Sequence, residues 1–190
     1  NAYPSKRDEL VRIAIYVDGV RVVDDMIDAK EKTYTVMAEE TARDAVVRIV
    51  KLSETAMSTC GVKAISVDDS AGIRPTPAKA RKIEFIGDSI TCGYGVEDTL
   101  GDDHYLDETE NHWLSYATLT SDALGAQHFS ISRSGIGAYR NYGGPATGSS
   151  DAMPQMYDLT LYHDSTQLWN FKRWTPDVVC INLGTNDFSP

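Results

Sequence analysis

A chain of 190 residues with 42% hydrophobic content is long enough for one domain or two small ones and can bury a real core. Its formal net charge of −10 argues against nucleic acid or an anionic membrane as partner, because either would repel such a surface, and leaves a neutral polysaccharide open. No stretch approaches twenty consecutive apolar residues, so no helix of membrane-spanning length is expected.

In chain order, Asn1–Arg7 lacks the apolar core of a signal peptide. Val11–Val17 then runs into Asp18-Gly19, a dipeptide suited to a type I′ turn, and resumes as Val20–Val23, which predicts a hairpin. Thr33–Met37, Ala45–Leu52 and Val62–Val67 read as further strands with no helical period between them, so the first part predicts a piece of a β-sandwich. Ala71–Ala78, with Pro75 and Pro77, is a stiffened linker that puts a domain boundary near residue 76. Beyond it strands alternate with helices. Ile83–Ile86 is a buried strand, Asn111–Leu124 a helix ended by Gly125, Gln127–Ile131 a second strand and Val178–Leu183 a third. The segment 151–174, broken by Pro154, reads as irregular structure with short helices.

The two segments richest in chemistry sit directly behind strands. Gly87-Asp88-Ser89-Ile90-Thr91 follows the first of these three strands and Gly184-Thr185-Asn186-Asp187 the third, so both belong at the carboxyl ends of buried parallel strands, where open α/β sheets hold their ligands. A serine on a tight strand-to-loop turn presents its hydroxyl as a nucleophile requires. An amide such as Asn186 across the same rim suits the oxyanion of a tetrahedral acyl-transfer intermediate. There is no Gly-Lys-Ser/Thr ending for a phosphate loop, and the glycine spacing does not fit a dinucleotide site.

These two segments resemble the first and third blocks of the SGNH (GDSL-like) hydrolases, and Ile131-Ser132-Arg133-Ser134-Gly135-Ile136-Gly137 resembles the glycine-bearing second block. The longer strings Arg81 to Gly95 and Pro176 to Ser189 resemble carbohydrate esterase family 2, bacterial deacetylases of plant cell-wall polysaccharides. The resemblance implies an α/β fold, an SGNH-type three-layer α/β/α hydrolase domain over 77–190 preceded by a small jelly-roll-like β-sandwich over 1–76. It implies Ser89 as nucleophile and an oxyanion hole formed by the Ser89 N–H, the Gly135 N–H and the Asn186 side chain. Gly137 is the alternative to Gly135, which the Ser-Gly pair after the strand favours. The implied reaction removes O-acetyl groups from a polysaccharide such as xylan or glucomannan through an acetyl-enzyme, outside the cell, with no metal or organic cofactor. A short-chain or lipid esterase and a non-catalytic carbohydrate-binding protein are the alternatives.

A serine hydroxyl needs a base, and histidine is the usual one. In the resembling family that histidine lies far downstream of the third block, a place that none of His104, His112, His128 and His163 occupies. The base is therefore expected in sequence beyond this chain, as are the remaining strands of a sheet that usually has about five. Asp88 and Asp187 are expected to hold turns rather than to move protons. Cys60, Cys92 and Cys180 show no pairing or metal spacing, with Cys180 in the core and Cys92 not a nucleophile. Glu97, Asp98, Asp102, Asp103, Asp107, Glu108 and Glu110 read as a solvated acidic loop without a calcium pattern, and Trp169, Phe171 and Trp174 as core in preference to a sugar platform.

Overall fold

The computed structural model describes residues 10–37, 43–67, 72–99, 101, 105–162 and 164–189. Strands β1 (Val11–Val17) and β2 (Val20–Ile27) form the expected hairpin, with Asp18 at φ 50° and Gly19 at φ 83°, the doubly left-handed geometry of a type I′ turn. Strand β3 (Val47–Lys51) pairs antiparallel with the other side of β1, giving the order β2-β1-β3. Central β1 is buried on both faces. Val11, Ile13 and Ile15 pack with Val23, Ile27, Tyr34 and Val36, whereas Arg12 and Tyr16 reach the second half of the chain.

Two expected strands are not strands. Thr33–Met37 and Val62–Val67 have no ladder partner among the described residues, and Val62 and Ile65 are exposed. β-propensity expresses fit to a pleated neighbour, and without that neighbour the sequence pattern forms no strand. The second sheet of the expected sandwich is thus not among the described residues.

The second half holds a three-stranded parallel sheet in the order β5-β4-β8, with β4 (Arg81–Gly87) between β5 (Ala126–Ser132) and β8 (Val178–Asn182). On one face Ile83 and Phe85 pack with Ala117 and Tyr116 of helix α2 (Tyr116–Ala123). On the other, Ile86 packs with Ile136 and with Met153 of helix α3 (Met153–Met156), and the Tyr157 hydroxyl donates to Glu84 at 2.8 Å. Central β4 is therefore covered on both sides, whereas β8, expected from its apolar run to be buried, is mostly exposed at the edge of the described sheet.

The predicted helix 111–124 is divided. A 3₁₀ turn over His112–Leu114 is capped by Asn111, and Ser115, in extended geometry, restarts the chain as α2. Two side-chain caps four residues apart each compete for the local N–H groups, so one continuous helix does not form. Gly125, at φ 58°, ends α2 as expected. Segment 151–174 is more regular than expected: after α3 come an antiparallel pair, β6 (Leu159–Leu161) and β7 (Asp164–Leu168), and a 3₁₀ turn over Phe171–Arg173.

Candidate active site

Parallel pairing sets Gly87 beside both Ser132 and Asn182, so β4, β5 and β8 deliver their following loops to one edge of the sheet. Ser89 opens the one-turn helix α1 (Ser89–Cys92), where Asp88 caps the turn by accepting from the Ile90 N–H at 3.1 Å. The turn is tight enough that a Cβ on Gly87 would overlap the Thr91 hydroxyl, which bonds the Tyr116 hydroxyl at 3.0 Å. Ser89 is half-buried, and its hydroxyl has no hydrogen-bond partner among the described residues.

The loop after β5 carries Gly135 at φ 79°, a backbone state that glycine adopts at low cost. Its N–H makes no hydrogen bond among the described residues, whereas that of Gly137 donates to Asn141 Oδ1 at 3.0 Å. Asn186, 7% exposed, stands in the 3₁₀ turn after β8 and donates from Nδ2 to the Ile136 carbonyl at 2.8 Å. One amide hydrogen is thereby fixed and the other remains to donate. The next residue, Asp187, accepts the N–H groups of Ala138, Tyr139 and Arg140 at 2.7–2.9 Å. Burial opposes its charge, yet these three donors hold its carboxyl below the usual range. Burial raises the Asp88 carboxyl, with the charge of Asp187 adding to the effect. Both aspartates hold turns, and the loops behind β5 and β8 form one hydrogen-bonded assembly.

Both ring nitrogens of His112 face partners, one of them a nitrogen of His128. His112 Nδ1 lies 3.2 Å from the Thr91 carbonyl, and its Nε2 lies 3.4 Å from Nε2 of His128. Burial lowers both, His128 to about 4 with the neighbouring His112 contributing, so the pair is neutral near pH 7. His104 and His163 lie outside the described residues, as do Asp102 and Asp103.

Among the described acids of the loop Asp107 and Glu110 are buried while Glu108 is exposed, which corrects in part the reading of a solvated run. Glu97 accepts from the Arg12 guanidinium at 2.6 Å and from Asn111 at 2.8 Å, and Asp107 and Glu110 are buried around the Tyr105 hydroxyl. Interleaved acids at no helical or strand period give no signal of which ones turn inward. Burial, with the Glu54 charge next, raises the Glu110 carboxyl from 4.5 to about 7. Glu54, which the sequence did not single out, accepts from the Ser134 N–H at 2.6 Å and from the Cys92 thiol at 3.1 Å. Burial, above all, raises that thiol well above its ordinary range, so Cys92 stays protonated and unreactive. Donor atoms of Glu54, Cys92 and Glu110 lie within 4.8 Å of one another, a cluster in which the thiol could bind a cation only by losing its proton. Trp174 stacks on Phe129 at 4.3 Å and is buried, as expected for core; Trp169 is half-buried and meets the same ring edge-on, whereas Phe171 stacks on Tyr157 but is exposed, against the core reading.

Residues 83–190, more than half of the chain, match the GDSL-like Lipase/Acylhydrolase family. The chain is 45% identical over 115 residues to the cellulase/esterase CelE of Acetivibrio thermocellus, covering 60% of this chain and 14% of that protein. It is 38% identical over 145 residues to an acetylxylan esterase / glucomannan deacetylase of Cellvibrio japonicus, covering 75% of this chain and 39% of that one. A family two carbohydrate esterase from Clostridium thermocellum, solved in complex with cellohexaose, superposes with a TM-score of 0.78 at 33% identity, over 95% of this chain and 54% of the other. The chain thus spans about half or less of the length of each of these relatives.

Proposed function

The chain belongs to the GDSL-like lipase/acylhydrolase family, and from that premise we propose that it carries the acyl-transfer site of a serine esterase that deacetylates a plant cell-wall polysaccharide such as acetylated xylan or glucomannan. Ser89 Oγ attacks the acetyl carbonyl. The oxyanion is received by the N–H groups of Ser89 and Gly135 and by the second Nδ2 hydrogen of Asn186, donors already in place before charge develops. The sugar alcohol leaves, water hydrolyses the acetyl-Ser89 ester, and acetate is released. A histidine outside the described residues takes the serine proton and returns it to the leaving alcohol.

The observation that carries this reading is the Asn186 amide, tied by one hydrogen to the oxyanion loop with the other uncommitted at the edge where Ser89 stands. The engaged N–H of Gly137 favours Gly135 as the backbone donor. The substrate class is supported by the relative named acetylxylan esterase / glucomannan deacetylase and by the solved relative in complex with cellohexaose. The first 76 residues are assigned to a jelly-roll-like accessory unit, residues 77–190 to the hydrolase domain, and the protein to the extracellular space, where such substrates lie. The test is acetate release from acetylated xylan and glucomannan by the full-length protein, with the Ser89→Ala variant alongside. Release abolished in the variant is the expected outcome; equal release from both removes Ser89 from the reaction.

A further inference from the structure

Glu54 stands outside the three motifs, in the segment that leaves β3, yet its carboxylate lies directly beneath the second of them. One oxygen, Oε2, accepts the Ser134 N–H at 2.6 Å and the Cys92 thiol at 3.1 Å. Ser134 precedes Gly135, and Cys92 closes α1, the turn that Ser89 opens. We propose that Glu54 is a positioning residue of the esterase site, holding the Ser134 N–H and so fixing the direction in which the Gly135 N–H points. The proposal rests on the esterase reading above.

Relative bond strengths support it. The backbone anchors beside it are neutral: Arg133 N–H to the Gly87 carbonyl at 3.3 Å, Ile136 N–H to the Arg133 carbonyl at 3.2 Å, and Tyr142 N–H to the Gly135 carbonyl at 2.8 Å. A charge-assisted bond at 2.6 Å is roughly twice as strong as such neutral ones. It acts next to Gly135, the residue with the greatest backbone freedom in the loop. Glu54 is itself immobilised: it is buried, its own N–H donates to Glu110 Oε2 at 2.9 Å, and the fully buried Leu52 accepts the His112 N–H through its carbonyl at 3.0 Å. Burial, with the Glu54 charge next, raises Glu110 to about 7, so Glu110 keeps its proton below neutrality.

The experiment compares wild type, Glu54→Ala and Glu54→Gln in the full-length protein, by 4-nitrophenyl acetate kinetics and by the amide resonances of Ser134 and Gly135. Glu54→Ala is expected to lower kcat by about 10²-fold with KM little changed, the loss typical of a misaligned catalytic group. It should also displace the Gly135 resonance and lose the downfield shift of the Ser134 proton. Glu54→Gln, whose amide oxygen still accepts from Ser134, should recover most of kcat and both resonances. A Gly135 resonance unmoved in Glu54→Ala overturns the proposal, as does a kcat loss in Glu54→Gln equal to that in Glu54→Ala. Wild type that releases no product refutes the esterase reading alone, since the resonances still decide whether Glu54 sets the Gly135 N–H.

Discussion

The Asn186 side chain is bound at 2.8 Å to the carbonyl of Ile136, so its amide is oriented by the loop that also carries Gly135. Orientation in advance is what makes a donor worth more in the transition state than in the ground state. Replacing Asn186 with alanine should therefore lower kcat by about 10²–10³-fold and leave KM nearly unchanged. Steady-state kinetics on an acetylated substrate checks this, and an unaltered kcat removes Asn186 from the site. Gly87 makes a different demand, since any Cβ there overlaps the Thr91 hydroxyl and presses on the Asn182 carbonyl of β8. Gly87→Ala should destabilise the fold by about 1–3 kcal/mol, the range for overpacking in a close-packed interior. Thermal unfolding gives the value, and a melting temperature equal to wild type shows that α1 can shift to make room.

At the scale of elements, Ser115 illustrates why boundaries in this chain were hard to read. The amphipathic run from Asn111 to Leu124 has one apolar period, but the serine inside it is an N-cap, not an interior helix residue. Its side chain accepts from the Thr118 N–H at 3.5 Å, a long bond, so Ser115→Ala should cost about 0.5 kcal/mol, the low end for a cap. An unfolding free energy lowered by that amount, seen as a lower denaturant midpoint with an unchanged slope, is the expected result. Strand β4 and the turns behind β4 and β8 were legible because a buried parallel strand is a near-continuous apolar run and because Gly-Asp-Ser and Gly-Thr-Asn-Asp have local causes, and β8 is an equally apolar run although it lies exposed at the edge of the described sheet. Thr33–Met37 and Val62–Val67 misled because strand formation depends on partners that a local pattern does not reveal. Glu54 could not be found from sequence at all, since its partners Cys92, Ser134 and Glu110 lie 38–80 residues away, with no shared motif.

Across the whole molecule the two halves are joined by charge as much as by packing. The buried Arg12 guanidinium of β1 binds Asp24 on its own sheet at 2.9 Å and Glu97 across the junction at 2.6 Å, and also takes the carbonyls of Glu108 and Glu110. Next to it, the ionisable groups of the junction set opposing pH dependences. Glu110 titrates at about 7 when folded against 4.5 when free, so its burial is without penalty below pH 4.5 and costs stability as pH rises through 7. The shift corresponds to about 3 kcal/mol. His128, held at about 4 against an ordinary 6.5, acts in the reverse sense, since its stabilising neutrality is lost as pH falls from 6.5 through 4. His112, also lowered by burial, adds to that acid limb. Between pH 4.5 and 6.5 the Glu110 effect opposes that of the histidines, so wild-type stability should climb less steeply with pH than it would without the carboxyl. In Glu110→Gln the amide oxygen still accepts from Tyr105 and the Glu54 N–H while the charge is gone, leaving only the histidine limb. The stability of that variant, measured by thermal unfolding at intervals from pH 4 to 8, should rise with pH to a plateau above 6.5, and at pH 8 should exceed that of wild type. A variant whose profile parallels wild type over the whole range would mean that Glu110 is not the group carrying the alkaline limb.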